Sequence, residues 1–202
     1  HGGASIPGFC ESRNHEIIIS VWTGRGYHLD KEKDEFIPYP DKMRSRNPTV
    51  MVQDNEQDYF WLATWGDGVV RFDPSAPGDS MFVYSEIPVN AAGEEDGLIL
   101  SLAQDDKLGY IWLTTGHDFM ALQIQPDRTL KQLKFPAGLL PVNHMLVEVL
   151  KGKECLWVSA FDRPSFILHL MDNITKDYAL PALADRVNRS PAIMALCDDG
   201  DG

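Results

Sequence analysis

The sequence predicts an all-β chain with a β-propeller architecture, a partial ring of four four-stranded blades plus the first strand of a fifth. Short runs of β-branched and aromatic residues alternate with Gly, Pro and Asp, which is the pattern of strands joined by tight turns. The pattern also repeats along the chain. Units of about 40–50 residues that each hold four strands are typical of a propeller, and no helical periodicity competes with them.

The first unit lies between Ile6 and Tyr39 and overlays the second unit at one constant offset without a gap. In this overlay Ile18 falls on Trp61 and Trp22 falls on Trp65. The predicted strands are Phe9–Ser12 (with its turn), Ile17–Trp22, Tyr27–Asp30 and Glu35–Tyr39, and Thr23–Gly26 forms a turn. Pro38 places the last of these strands at an edge, where proline is tolerated.

The second and third units contain the sharpest internal match of the chain. Tyr59–Thr64 and Tyr110–Thr115 agree position by position as Y-[FI]-W-L-[AT]-T. The second unit is predicted to hold strands at Val50–Gln53, Tyr59–Thr64, Val69–Phe72 and Met81–Tyr84, with turns at Asp54–Asp58 and Trp65–Gly68. The third is predicted to hold strands at Ile99–Asp105, Tyr110–Thr115, Phe119–Ile124 and Thr129–Phe135.

The fourth unit completes a single, incomplete propeller domain over residues 1–202. Its predicted strands are Met145–Leu150, Cys155–Ala160, Phe166–Leu170 and Asp177–Leu180. The blades are expected at about 6–40, 49–85, 98–136 and 144–181, and residues 192–202 start a further blade. Trp61, Trp112 and Trp157 share one position on the second strand, where a large flat side chain fills the space between blades. Truncation of one of them to Ala is expected to cost about 3–5 kcal/mol.

Two segments resemble the two-component regulator propeller repeat, namely Val50–Asp73 and Leu98–Leu122. Each has an inner strand, an Asp, a turn, the series [aromatic or Ile]-Trp-[Leu/Val]-x-[Thr/Ala] and a further turn and strand. His144–Leu170 and Ile193–Gly202 match more loosely, and Ile18 stands where the repeat has Trp. The resemblance covers nearly the whole chain, and it implies a propeller fold.

The family that carries this repeat builds the extracytoplasmic sensor regions of hybrid histidine kinases in gut Bacteroidetes, where paired propellers detect carbohydrate fragments. The resemblance therefore implies a non-catalytic, periplasmic sensor domain of a membrane-anchored protein. Such a domain binds an oligosaccharide or a protein partner and signals to a kinase outside this chain. We expect the chain to be a piece of that longer protein.

The loops that join second to third strands share one face of a propeller with the loops between blades, and ligands usually bind there. Aromatic rings beside Arg or Asp suit sugars, because C–H faces stack on rings and hydroxyls need charged hydrogen-bond partners. The candidate ligand-binding residues are Trp22, Arg25, Trp65, Asp67, His117, Asp118, Phe161 and Arg163. Alternatively, the tryptophans close the blade edge and the aspartates cap turns.

Two other classes of function are open at this point. A catalytic propeller, such as a polysaccharide lyase or a glycosidase, needs placed carboxylates, and a glycosidase sets two of them about 5–10 Å apart. Asp67, Asp118 and Asp162 occupy similar loops and are the candidates for that role. The other class is a scaffold for protein interactions. We assign no catalytic residue and expect an enzymatic role only for the kinase of the parent protein.

Charge and motif content limit the partners. The formal net charge of −12 repels nucleic acid and anionic membrane surfaces. The acidic run Asp54–Asp58 lacks the Gly and the Glu of a calcium loop, and no phosphate-binding motif is present, so neither a metal nor a cofactor is expected. A ring that does not close leaves apolar blade faces open, which predicts self-association through the terminal blades.

Overall fold

The computed structural model describes residues 6–22, 24–42, 47–90, 92–105, 108–115, 118–133, 146–151, 155–160, 165–169 and 174–178. Within these residues the secondary structure consists of antiparallel four-stranded sheets and one short 3-10 helix, which confirms the all-β prediction. The chain divides into two compact units, His1–Ile87 with Gly97–Ile99, and Pro88–Asp96 with Leu100–Gly202. Residues 192–202, predicted to start a fifth blade, lie outside the described part.

The first unit holds two sheets in which consecutive strands pair in chain order. Sheet 1 consists of β1 (Gly8–Glu11), β2 (Ile17–Val21), β3 (Arg25–Asp30) and β4 (Glu35–Lys42). Sheet 2 consists of β5 (Pro48–Gln53), β6 (Phe60–Thr64), β7 (Val69–Phe72) and β8 (Phe82–Glu86), with the 3-10 helix Gly78–Ser80 before β8.

The second unit holds two sheets of the same design. Sheet 3 consists of β9 (Ile99–Asp105), β10 (Tyr110–Thr115), β11 (Phe119–Ile124) and β12 (Leu130–Gln132). Sheet 4 consists of β13 (Leu146–Lys151), β14 (Cys155–Ala160), β15 (Ser165–His169) and β16 (Ile174–Tyr178). The outer strand predicted at Asp177–Leu180 was wrong in its bounds, because β15 pairs from Ser165↔Tyr178 to His169↔Ile174.

The prediction that the first two units overlay without a gap was wrong for the inner strand. Ile18 pairs with His28 and Trp61 with Arg71, so the second and third strands do keep one offset. The turn before the second strand, however, spans 12–16 in sheet 1 and 54–59 in sheet 2, one residue more. Ser12 therefore takes the place of Asp54, and each bonds back across its turn.

An apolar cluster packs sheet 1 against sheet 2. Sheet 1 contributes Ile18, with Cys10 and Tyr39 beside it, and Tyr39 meets the edge of Phe72 at a ring separation of 5.2 Å. Burial raises the pKa of Tyr39 to about 12. The remaining members come from sheet 2 and its 3-10 turn, and they are Met51, Phe60, Leu62, Val70, Phe72, Met81, Phe82 and Tyr84. Face-to-face packing of this kind is how sheets that are apolar on one side are buried.

A polar contact joins the same two sheets at their β1–β2 and β5–β6 turns. The Arg13 guanidinium donates to the carbonyl oxygens of Asn55 and Gln57 and forms an ion pair with Asp58 at 3.2 Å. The backbone N–H of Arg13 donates to Oε1 of Gln53 at 2.7 Å. Because these groups are exposed, we assign the stability of the sheet pair to the apolar cluster. We assign to Arg13 only the alignment of the two turns with each other.

A buried Trp–Asp hydrogen bond recurs in sheets 2 and 3. The Trp61 indole Nε1–H donates to Oδ2 of Asp54 at 2.9 Å, and both residues are 0% exposed. Trp112 makes the same bond to Asp105 at 3.4 Å. The second carboxylate oxygen of each aspartate accepts backbone N–H groups of the following turn, so one side chain links the strand to its turn.

Sheet 1 lacks both members of this pair. Ser12 occupies the aspartate position and Ile18 the tryptophan position, and Ser12 Oγ accepts the backbone N–H of Glu16 at 3.1 Å. The two replacements go together, because a buried carboxylate without the indole donor would be costly. The predicted core role is confirmed for Trp61 and Trp112, whereas Trp157 is half-buried.

We expect Trp61→Phe to lower the free energy of unfolding by about 1–3 kcal/mol, because the ring still fills the core but the buried Asp54 carboxylate loses a donor. Urea denaturation of the single variants and the double variant with Asp54→Ala measures the effect. In the Asp54→Ala background the same substitution should cost at least about 1 kcal/mol less. Equal costs in the two backgrounds would contradict the role given to this hydrogen bond.

Candidate functional site

Two tryptophans on neighbouring turns of the first unit form the candidate site. Trp22 follows β2 and Trp65 follows β6, so they occupy corresponding turns of sheets 1 and 2. Their ring centroids lie 5.8 Å apart, and the ring planes are inclined by 50°. Trp65 is 51% exposed and Trp22 is half-buried. The structure therefore brings together two of the predicted ligand-binding residues and leaves one indole open to solvent.

Backbone hydrogen bonds hold the Trp65 turn on both sides. The N–H of Trp65 donates to the carbonyl oxygen of Asn47 at 2.7 Å, and Trp65 forms a β-bridge with Leu98. The N–H groups of Gly66 and Gly68 both donate to the carbonyl oxygen of Gly97, at 2.8 and 3.3 Å. The exposed indole thus has a fixed backbone beneath it, which reduces the entropy lost when a ligand binds.

Thr64 and Asp67 close the same turn from within. Thr64 Oγ1 donates to the carbonyl oxygen of Gly68 at 2.8 Å and accepts the N–H of Asp67 at 3.0 Å. Asp67 is half-buried and lies two residues from Trp65 in the chain. Its backbone N–H helps to close the turn, so Asp67 lies in the same turn as Trp65.

Gly68 is required by the close approach of β8. Its φ is +69°, and a Cβ at this position would lie 2.0 Å from the carbonyl oxygen of Glu86. Partial burial raises the pKa of the Glu86 carboxyl beside this contact. The narrow turn therefore carries Trp65 and Asp67 only because residue 68 has no side chain.

Arg25 differs from its predicted position. It was placed in the turn after β2, but it is the first residue of β3 and pairs with Val21 and Lys42. A Cβ on the next residue, Gly26, would contact the Phe72 ring of sheet 2 at 3.2 Å. Because side chains alternate along a strand, Arg25 lies on the opposite face of sheet 1. β3 begins two residues earlier than the Gly-rich sequence indicated, and its pairing with β2 reaches Val21↔Arg25.

Asp118 is also displaced from its predicted role, because it is only 3% exposed. Its N–H donates to Thr115 Oγ1 at 2.9 Å, and Thr115 Oγ1 donates to Oδ2 of the buried Asp96 at 2.6 Å. The arrangement repeats the Thr64–Asp67 turn in sheet 3. The alternative interpretation, in which an aspartate belongs to the turn itself, therefore fits Asp118 better than exposure on a ligand face.

The remaining predicted residues, His117, Phe161 and Arg163, lie outside the described residues, as does Asp162. Sequence reasoning missed Asp96, which is buried and accepts the Thr115 hydroxyl. The spacing of Thr115 and Asp118 matches that of Thr64 and Asp67 and was the available signal for a structured turn. In the part of the chain that the structure describes, no cluster of three or more His, Cys, Asp or Glu side chains could hold a metal ion.

The described residues also contain no helix that is long and apolar enough to cross a membrane. Comparison of the sequence with protein-family models gives no match, and comparison with curated proteins gives none either. Solved structures, by contrast, match over most of the chain.

The extracellular domain of the hybrid two component system BT4673 from B. thetaiotaomicron superposes with a TM-score of 0.65 at 14% identity, over 93% of this chain and 23% of that one. PorZ, a surface component of the type-IX secretion system of Porphyromonas gingivalis, gives a TM-score of 0.71 at 12% identity, over 96% and 29%. Virginiamycin B lyase from Staphylococcus aureus gives 0.63 at 14% identity, over 90% and 57%.

These likenesses establish a β-propeller-like fold. They confirm the resemblance to the propeller repeats of sensor domains, since an extracellular domain of a hybrid two component system has the same arrangement of sheets. The chain spans about a quarter of the length of that domain, as its 23% coverage gives. The number of blades and the closure of a ring stay predictions.

We expect Gly68→Ala to destabilise the chain more than Gly109→Ala does. The two glycines have nearly the same φ, +69° and +67°, so the backbone strain of an alanine is matched. Only Gly68 has an atom within 2.0 Å of the added Cβ, whereas Gly109 has none within 4 Å. The difference in unfolding free energy should reach about 1–3 kcal/mol, and the fluorescence of Trp65 should change in the Gly68 variant. Equal destabilisation by the two substitutions would mean that the β8 backbone moves away from the added Cβ at no cost in free energy.

Proposed function

We propose that the chain is a non-catalytic sensor domain that binds an oligosaccharide on the Trp22–Trp65 pair. The observation that carries the proposal is the exposed indole of Trp65, 5.8 Å from a second indole on the neighbouring turn. Tryptophan is highly buried on average, and an exposed indole in contact with a second one offers a larger apolar surface than a single exposed side chain does. A rigid turn beneath the indole is the arrangement expected of a binding platform.

The geometry of the two rings suits a sugar better than a flat aromatic ligand. An inclination of 50° keeps the two rings from stacking in parallel, so they form an open angle. A pyranose ring presents C–H groups on its faces and hydroxyls around its edge. Its face can lie on the open side of Trp65 while its hydroxyls reach a carboxylate such as that of Asp67.

The sensor role and its location rest on the likeness to the extracellular domain of a hybrid two component system. We place the chain outside the cytoplasm, in the periplasm, as part of a membrane-anchored parent protein. The parent's histidine kinase would lie beyond this chain and would receive the signal. The parent, its kinase and its membrane anchor belong to the proposal.

A catalytic propeller is the second candidate, and the likeness to virginiamycin B lyase is the observation that favours it. The glycosidase form of this candidate needs two solvent-facing carboxylates at the ligand face. Asp67 fits that requirement in part, whereas Asp118 is buried. A scaffold that binds another protein through the same exposed indole is the third candidate.

We expect Trp65→Ala to weaken oligosaccharide binding by at least about tenfold, which corresponds to about 1.4 kcal/mol. Titration calorimetry against a panel of neutral and acidic oligosaccharides first selects the ligand with the unchanged chain. Trp65→Phe should keep part of the affinity, because a smaller ring still stacks.

Phe36→Ala is the matched control, because Phe36 is a 43%-exposed aromatic residue of the same unit on the outer strand β4. It should bind as the unchanged chain does. A panel that yields no binding, or affinity that Trp65→Ala leaves intact, would refute the site. Cleavage of the oligosaccharide that is lost when Asp67 is substituted would instead favour the catalytic candidate.

A further inference from the structure

The turn Trp65–Gly68 uses all of its backbone N–H groups within the protein. Two of them donate to the carbonyl oxygen of Gly97, one to that of Asn47 and one to Thr64 Oγ1. The hydroxyl proton of Thr64 is used as well, because it donates to the carbonyl oxygen of Gly68. A ligand that lies on this turn therefore finds no backbone N–H with which the turn could bind an anion.

The same turn carries a carboxylate. Asp67 is half-buried, and its Cα lies two steps along the chain from that of Trp65, at most about 7.6 Å away. Charges at a protein surface interact over about 8 Å at physiological ionic strength. An anion on the Trp65 indole therefore meets a like charge in the turn that carries the indole.

The basic side chains that the structure describes in the first unit lie elsewhere. Three of them belong to turns at the other ends of the strands and donate within the protein there, namely Arg13, Lys31 and Lys33. The Arg71 guanidinium lies over the Tyr59 ring, 5.3 Å from its centroid. Arg25 pairs with Lys42 at the Trp22 end of sheet 1, but the Arg25 side chain lies on the face turned away from sheet 2. None of these five side chains is placed to neutralise an anion at Trp65.

The two indoles touch each other and leave one open side. A centroid separation of 5.8 Å is that of aromatic rings in direct contact, so a sugar ring does not fit between them. The open side belongs to Trp65, which is 51% exposed, and beside it a Cβ on Gly66 would have no atom within 4 Å. One sugar unit on this side covers the indole and the turn together, so the turn senses the substituents of that unit.

We propose that the Trp22–Trp65 site takes uncharged sugar units and excludes sugars that carry a carboxylate or a sulfate. This inference rests on the proposed function, because it concerns the ligand of the same site. The hydroxyls of a neutral sugar can donate to acceptors such as the Asp67 carboxylate. An acidic sugar would lose part of its hydration and gain neither a backbone N–H nor a cation. The indole N–H groups are neutral donors and do not compensate for a whole charge.

Titration calorimetry with charge-matched pairs of ligands tests the selectivity. Trisaccharides of galacturonate and of mannuronate are compared with their carboxyl-reduced forms, in which each carboxylate has become a primary alcohol. Binding is assigned to the site only where Trp65→Ala weakens it. The reduced form should bind at least about tenfold more tightly than its acidic parent, because repulsion and lost hydration act only on the latter. The ratio should shrink between about 0.1 M and about 1 M salt, as the Debye length falls from about 10 Å to about 3 Å.

Two variants identify the origin of the selectivity. Asp67→Asn should lower the ratio of the two affinities at least about threefold, because the amide still accepts hydroxyls but no longer repels an anion. Arg25→Ala should leave the ratio unchanged, since that side chain lies on the other face of sheet 1. Circular dichroism should show both variants to be folded.

The outcomes separate this inference from the function on which it rests. An acidic trisaccharide that binds through Trp65 as tightly as its reduced form would overturn the selectivity and leave sugar binding intact. A ratio that Asp67→Asn leaves unchanged, or that Arg25→Ala alters, would likewise overturn it. Failure of the acidic and the reduced sugars alike to bind through Trp65 would refute the sugar site itself.

Discussion

The structure depends on a packing constraint: the central strand β6 of sheet 2 carries apolar side chains on both faces, and both faces are buried. All of Phe60–Thr64 is buried. Leu62 packs towards sheet 1, while the alternating Trp61 lies on the other face and is 0% exposed. A strand without a solvent-facing side cannot alternate polar and apolar residues, which explains its nearly continuous hydrophobic sequence.

Because the strands are so deeply buried, each of their polar groups destabilises the fold unless it has a hydrogen-bond partner. The buried indole N–H of Trp61 is satisfied by Asp54, whose other oxygen fastens the next turn. Thr64 does the same at the far end of the strand, where its hydroxyl bonds within the turn to Gly68 and Asp67. The hydrogen bonds that satisfy these buried polar groups also fix the turns. The candidate site is rigid because it lies on one of these turns.

The repeat made the fold predictable, while the details that failed depend on single residues. Tyr59–Thr64 and Tyr110–Thr115 share so many residues that strand type and order followed from comparison alone. The one-residue difference between the turns at 12–16 and 54–59 could not be seen, because Ser12 and Ile18 replace the Asp and Trp that would have marked the register.

The site was predictable only in part. Trp22 and Trp65 could be placed on corresponding turns, and the structure shows that they meet. The burial of Asp118 and the position of Arg25 within β3 depend on tertiary contacts and on how far a strand pair extends. Neither property follows from local residue type. An aspartate after a turn threonine can equally well bind a ligand or form part of the turn.

In the sensor role that we propose, the position of the indole pair would let a signal be transmitted without a large movement. Trp22 belongs to sheet 1 and Trp65 to sheet 2, and the two sheets are held together by the apolar cluster and by Arg13 at the opposite ends of the strands. A ligand that contacts both indoles binds only while the two sheets stay packed, so its binding free energy adds to the stability of that packing. The stability of the sheet packing and the occupancy of the ligand site are then linked reciprocally. A partner that binds only the packed form of the two sheets would therefore respond to the ligand.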